Sequence, residues 1–398
     1  MIELANKAIG FCRDLALCTE EPGRTTRTFL SAPVREVHRK LGGWMRELGM
    51  EVSVDAAGNI RGVHKGSSTR RLVVASHLDT VPDAGAFDGI LGVVLGVALV
   101  EALIAADDGG ESNPTIEVIG FSEEEGVRFG IPFIGSLAVV GTLDETVLTP
   151  AVREAIRNFG LDPAQLHAAR LSPETTACIE FHIEQGLVLE SLGFPLGIVD
   201  GIAGQSRLNL TFHGAANHAG TTPMPLRRDA LAAAAEWICL VEKSALGEPG
   251  LVATVGSIAV DPNATNVIPG LARVSLDVRH ARDELRKTLV SEVLGAAHRI
   301  CERRGVTLGL ERKLDQPAVA LAAHLRDALS NAVESCGYPV HRMTSGAGHD
   351  AMILAPHVPT AMLFLRSPGG ISHHPEESVI AADVEAAIRV GLRFMQNV

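Results

Sequence analysis

No Gly-x-Ser-x-Gly elbow, phosphate-binding loop or dinucleotide fingerprint occurs in these 398 residues. A serine hydrolase and a nucleotide-dependent enzyme therefore have no support in the sequence. Cys-x-x-Cys pairs are missing too. The six cysteines (Cys12, Cys18, Cys178, Cys239, Cys301, Cys336) are scattered, as free thiols of a reducing compartment are, and do not form a disulfide framework. The start, Met1-Ile2-Glu3-Leu4-Ala5, has neither the basic stretch nor the apolar stretch of a signal peptide. The longest apolar run begins at Ile90 and is interrupted by Glu101, too short to span a bilayer. It reads as a buried helix whose Gly92 and Gly96 allow close approach to a sheet. A cytoplasmic protein is expected. Positive charge is in deficit, with 35 Lys and Arg against 47 Asp and Glu and a formal charge of −12. That balance argues against non-specific binding to nucleic acid or an anionic membrane, and an anionic substrate would need particular arginines to overcome the field.

What is present is an ordinary globular composition, 46% hydrophobic and 21% charged, in a chain long enough for two domains. Helical patterns near 30–49, 89–105 and 133–141 alternate with strand-like runs at 71–76, 115–121 and 177–182, which is the layering of an α/β domain. At about Ser206 the pattern changes. Strand 206–213, helix 226–245, strands 251–260 and 271–279, helix 281–303 and strand 306–312 give the order β-α-β-β-α-β of a ferredoxin-like unit. After Gln316-Pro317 the alternation resumes, with helix 320–336, strand 359–365 and helix 381–397. The expectation is a catalytic domain of residues 1–205 and 317–398, a central mixed sheet flanked by helices. Residues 206–316 are expected to be an inserted α+β domain.

Three of the strand-like runs end on candidate metal ligands. They are Ser76-His77-Leu78-Asp79, Ser122-Glu123-Glu124-Glu125-Gly126 and Phe181-His182-Ile183-Glu184-Gln185. In open α/β sheets ligands gather outside the carboxyl ends of strands, so these segments can share one crevice. Asp88 and the pair His373-His374 add enough donors for two divalent ions, the chemistry of metal-assisted amide hydrolysis. Asp79, two residues after His77, is placed to accept the second ring N–H of that histidine and fix its tautomer. Asp88 before Gly89 suits a helix cap and also a bridge between two metals. Two adjacent glutamates permit a division of labour, one on metal and one moving a proton. Neighbours in an extended loop point apart, so only one of His373 and His374 is a ligand. His349 reads equally as a polar contact or a helix-end residue, and His218 taken alone is a surface loop histidine.

The chain resembles the dinuclear metal-dependent amidohydrolases that include allantoate amidohydrolase, N-carbamoyl-L-amino acid hydrolase and β-ureidopropionase, within the wider aminoacylase/carboxypeptidase clan. The resemblance is carried by Ser76-His77-Leu78-Asp79-Thr80-Val81, Phe87-Asp88-Gly89, Glu124-Glu125-Gly126-Val127-Arg128-Phe129 and His182-Ile183-Glu184-Gln185-Gly186. Asn217-His218-Ala219-Gly220-Thr221-Thr222-Pro223-Met224, Asn266-Val267-Ile268-Pro269-Gly270, Ser345-Gly346-Ala347-Gly348-His349-Asp350 and Gly370-Ile371-Ser372-His373-His374-Pro375 complete it. It implies His77, Asp88, Glu125, His182 and His373 as ligands of two divalent ions per subunit, zinc or manganese, with cobalt or nickel as further candidates. Asp88 would bridge, with His77 and His182 on one ion and Glu125 and His373 on the other, through a cis Asp88–Gly89 peptide.

Glu124, located by counting back from Gly126, would be the general base. Gln185, His218, Asn266, Arg279 and Gly348 match substrate-contact positions. The inserted domain would be a lid that also forms a homodimer and brings His218 into the neighbouring site. The implied reaction hydrolyses a ureido C–N bond in a small anionic substrate. The runs 121–129 and 193–207 look most like allantoate amidohydrolases, with an N-carbamoyl-L-amino acid hydrolase as the alternative.

Overall fold

The computed structural model describes residues 1–106 and 114–397. The chain divides into two compact units, Met1–Asp200 with Ala320–Val398, and Gly201–Val319. The first is an α/β layer structure around a mixed sheet. Four of its strands, Thr115–Phe121, Arg71–His77, Thr175–Ile183 and Thr360–Leu365, lie side by side and parallel. Strands Glu51–Val54 and Ile60–His64 extend this sheet antiparallel at one side, and Leu196–Ile202 pairs antiparallel with Thr360–Leu365 on the other.

The central strands are apolar on both faces, as strands covered by helices on both sides must be. Leu72, Val74, Val118, Ile179 and Phe181 enter one core with helices Ile2–Ala16, Ile90–Ala106, Ala323–Ser335 and Ala381–Met395. Val73, Ala75, Ile119, Phe121 and Cys178 enter another, opposite, with Val139, Leu354 and Val358. Helix Ile90–Ala106 is buried almost all round and lies tight on the sheet at its glycines. A Cβ at Gly92 would stand 2.1 Å from the Phe181 carbonyl oxygen, so only glycine fits. No helix among the described residues is long and apolar enough to cross a membrane.

In the second unit, strands Ile258–Asp261, Leu271–His280, Gly204–His213 and Thr307–Gln316 form an antiparallel sheet in that order, with Val252–Thr254 also on Leu271–His280. Helices Ala230–Ala245 and Asp283–Arg304 cover one face through Trp237, Val293 and Ala297, against Leu208, Leu210, Phe212, Val274, Leu276 and Val278. The expected continuous strand 251–260 is interrupted. Thr254 opposes Asp277 and Ile258 opposes Val274, so four steps face three and one extra residue is accommodated around Gly256. This is a bulge, which a side-chain-free residue accepts readily.

Candidate functional site

Period-two alternation puts His77 on the same sheet face as Val73 and Ala75, and His182 on the face of Cys178 and Glu180. Parallel registry sets Ala75 opposite Glu180, so the two histidines leave the sheet side by side. Their Nε2 atoms lie 3.4 Å apart. Each ring is held from behind: Nδ1 of His77 meets the Asp79 carbonyl at 3.0 Å, and Nδ1 of His182 meets the Ile183 carbonyl at 2.9 Å. A carbonyl only accepts, so both Nδ1 atoms carry a proton, and in the neutral rings both Nε2 lone pairs face each other. Two buried lone pairs at that distance repel unless a proton or a metal ion lies between them. Against the cost of burial, Asp79, Glu124 and Asp88 hold His77 well above its usual value, so the cluster attracts positive charge. The donor set therefore fits a divalent ion.

Asp88 completes the pattern. Its Oδ1 is 3.3 Å from His182 Nε2 and its Oδ2 is 3.1 Å from His373 Nε2, while Glu125 Oε1 stands 3.4 Å from the same His373 nitrogen. Of the four groups of metal-competent donors among the described residues, two share this carboxylate, His77 with Asp88 and His182, and Asp88 with Glu125 and His373. The others are His77 with Glu124 and Glu125, and Glu180 with His182 and His349. The side chain of Asp88 is thus taken up by His182, His373 and Gln185. The turn into the helix is made by Gly89 at φ +65, with the Ile90 N–H donating to the Asp88 carbonyl at 2.7 Å. Among the described residues the one cis peptide is Asp261–Pro262, so the expected cis Asp88–Gly89 bond is trans. The left-handed glycine supplies the sharp turn, and a Cβ there would meet the His77 ring at 2.3 Å.

Of the three consecutive glutamates, Glu124 and Glu125 lie with His77, whereas Glu123 is buried outside every donor group. Asp79 does more than its expected part. Its carboxylate stands 3.5 Å from His77 Nδ1, and its two oxygens also accept the backbone N–H groups of Glu124 and Glu125 at 2.9 and 3.0 Å. The residue's carbonyl and carboxylate both face the imidazole, and the carboxylate holds the glutamate turn as well. Gln185, at φ +58, donates from Nε2 to Asp88 Oδ1 at 3.1 Å and to Ser372 Oγ at 3.0 Å. His374 is exposed and accepts the Glu376 N–H, which leaves His373 as the member of the pair in the cluster.

Burial dominates the electrostatics. It drives Glu124 well above the carboxylate range, opposed by His77 and reinforced by Glu125, Asp350 and Asp79. It raises Glu125 to about 7 and lowers His182 to about 4. Asp88 goes the other way: against burial, His373, His182 and His77 hold it below the usual range. A cation in the cluster would pull the carboxyl values down.

The other expected contacts fall in two places. Gly348 is in the first unit, beside His349, whose ring stacks edge-on to His182 at 4.5 Å and whose Nε2 meets Ser345 Oγ at 2.9 Å. In the second unit the strand pair Asn217–His218 and Val267–Ile268 brings His218 and Asn266 together, with the Ala219 N–H donating to the Asn266 carbonyl. Nδ1 of the exposed His218 accepts the N–H groups of Gly220 and Thr221, so its neutral form presents Nε2–H as a donor. Arg279 points to the polar face of its strand and makes a two-pronged contact with Asp277 at 2.8 and 3.0 Å. Sequence reasoning passed over Glu180, buried and taking bonds from Ser76 Oγ and the Ala351 N–H. Its signal was available: a carboxylate two residues before His182 shares its face of the strand.

Buried histidines and carboxylates at the carboxyl ends of parallel strands in an α/β domain define a hydrolase of the metal-binding kind. Residues 73–397 match peptidase family M20/M25/M40, and the chain belongs to that family. It is 36% identical to allantoate deiminase 1 of Glycine max, over 99% of this chain and 89% of the relative. It is 40% identical to an N-carbamoyl-L-amino acid amidohydrolase of Geobacillus stearothermophilus, over 89% and 88%. Its fold is similar to that of an amidase of the hydantoinase/carbamoylase family from Burkholderia multivorans, with a TM-score of 0.91 at 31% identity over 99% and 97% of the two chains.

Proposed function

We propose that this protein hydrolyses allantoate at a ureido C–N bond, giving ureidoglycine, ammonia and carbon dioxide. The observation that carries the reading is the shared carboxylate of Asp88, one oxygen on His182 and the other on His373, beside the facing nitrogens of His77 and His182. His77, Asp88 and His182 would hold one divalent ion and Asp88, Glu125 and His373 a second. When bound, the pair polarises the ureido carbonyl and makes water acidic. Glu124 takes the proton of the attacking water and returns it to the leaving nitrogen. Asp79 keeps Glu124 in place through its backbone N–H. Gln185 orients Asp88 and, with Gly348, would contact the substrate.

His218 and Asn266 would contact the reacting group, His218 by donating from Nε2 to the oxyanion. Arg279 would grip the substrate carboxylate. Its fork is already oriented by Asp277, and a guanidinium matches a carboxylate in a way lysine does not. The unit Gly201–Val319 would serve as lid and homodimer surface. Names of the relatives support ureido chemistry, and both allantoate deiminases and a carbamoylase are among them.

Ammonia release by protein reconstituted with manganese or zinc, measured on allantoate and on carbamoyl-methionine and carbamoyl-phenylalanine, tests the reading. Allantoate should give the higher kcat/KM, because a site that hydrogen-bonds the second ureido arm leaves polar groups unpaired with an apolar analogue. The reverse ranking would make the protein an L-carbamoylase with the same machinery.

A further inference from the structure

Glu377 ties the loop that carries His373 to the loop that carries Asp88. Its Oε1 accepts the backbone N–H groups of both Phe87 and Asp88 at 2.9 Å, and Ser372 Oγ donates to its Oε2 at 3.3 Å. The residue is 5% exposed, so in the intact protein it shields these donors from bulk water. Its place is reserved by Gly85, where a Cβ would stand 2.3 Å from Glu377 Cβ and 2.6 Å from Oε1. Two backbone donors that leave the chain at successive residues, with no strand beside them, need one convergent acceptor, and a carboxylate is the strongest available.

We infer that Glu377 is a positioning residue for one of the two ions, the one assigned to Asp88, Glu125 and His373. This inference rests on the two-ion reading above. The effect should be one-sided. His77 and His182 are fixed independently, by the carbonyls of Asp79 and Ile183, and Gln185 still holds Asp88 from its other side. His373 is held less firmly: its ring Nε2 meets Asp88, Glu125 and Gln185, and its loop is tied to the Asp88 turn by the carboxylate of Glu377 and by the single amide of Gln185, which reaches Asp88 and Ser372. Releasing that anchor lets His373 drift from Asp88 while the other donor set stays assembled.

The test is titration of the chelator-stripped full-length protein with Mn2+, followed by calorimetry and by electron paramagnetic resonance. Wild type should take two ions per chain and show the exchange-coupled spectrum of a pair. Glu377→Ala should bind the first ion within about threefold of wild type and the second 10–100-fold more weakly, the usual effect of removing a group that orients ligands. At two equivalents its spectrum should be that of an isolated ion. Gly85→Ala, which displaces Glu377 without altering any polar group, should do the same and covers the case in which the first variant does not fold. Two tightly held ions in both variants would overturn the inference, and so would equal weakening of both ions. Fewer than two ions on wild type would instead remove the two-ion reading, and the inference with it.

Discussion

Asp79 Oδ1 accepts the backbone N–H of Glu124 at 2.9 Å, while the same residue's carbonyl holds Nδ1 of His77 at 3.0 Å. One residue therefore sets both an imidazole and the turn that presents two glutamates. Asp79→Asn would offer an amide N–H2 where a second acceptor is needed for Glu125. Its kcat should fall about 10–100-fold, as for other groups that orient ligands, with circular dichroism unchanged. An Asn variant with full kcat would show that the turn is held by other means.

The division of labour between the two glutamates is separable. Glu124→Gln should retain two ions per chain, by metal analysis, and lose about 10²–10⁴-fold in kcat, the range for a general base. Glu125→Gln should lose ion content first, because its oxygen lies in the donor group with Asp88 and His373. The opposite pattern would move the base one residue along the run.

Much of this arrangement was legible in the sequence, and the remainder was hidden for physical reasons. The strands ending at His77, Phe121 and Ile183 announce themselves because apolar runs bounded by polar clusters have few other readings. The sheet's outer strands were not legible. Glu51–Val54 is mostly exposed and short, so neither hydrophobicity nor length marks it. The part played by Glu377 depends on partners 289 and 290 positions away, which no local pattern carries. Asp79 shows the same limit. Spacing put it next to His77, but the second task of its carboxylate lies at a turn 45 residues further on. The trans peptide at Asp88 likewise could not be read from the identities of Asp88 and Gly89.

If the second unit serves a neighbouring subunit, His218 acts in trans. Inactive Glu124→Gln and inactive His218→Ala subunits, mixed under conditions of subunit exchange, should together recover activity that neither has alone. A heterodimer then holds one site with both residues intact. Verified exchange without recovery would confine His218 to its own chain.

Away from the site, His38 supplies a pH prediction. It is buried in helix Ala32–Glu47, edge-on to Phe159 at 5.7 Å, and its Nε2 finds no hydrogen-bond partner among the described residues. Burial, helped by the charges of Arg35 and Arg27, pushes its pKa down to about 4 from 6.5. The unfolded chain thus takes up this proton first. The associated stability is complete above pH 6.5 and is lost as pH falls toward 4. Between pH 7 and pH 5 the loss is about 2 kcal/mol. His38→Leu should remove that part of the acid sensitivity in urea denaturation at the two pH values. An equal loss in both proteins would mean that His38 is protonated in the folded state.

The central claim is that one carboxylate, Asp88, joins two ions. Crystals of the protein grown with manganese, measured at the metal's absorption edge, test it most directly. Two anomalous peaks about 3.5–4 Å apart are expected, as in two-metal hydrolases, both touching Asp88, one with His77 and His182 and the other with Glu125 and His373. A single fully occupied peak, or two peaks of which Asp88 touches only one, would contradict the account.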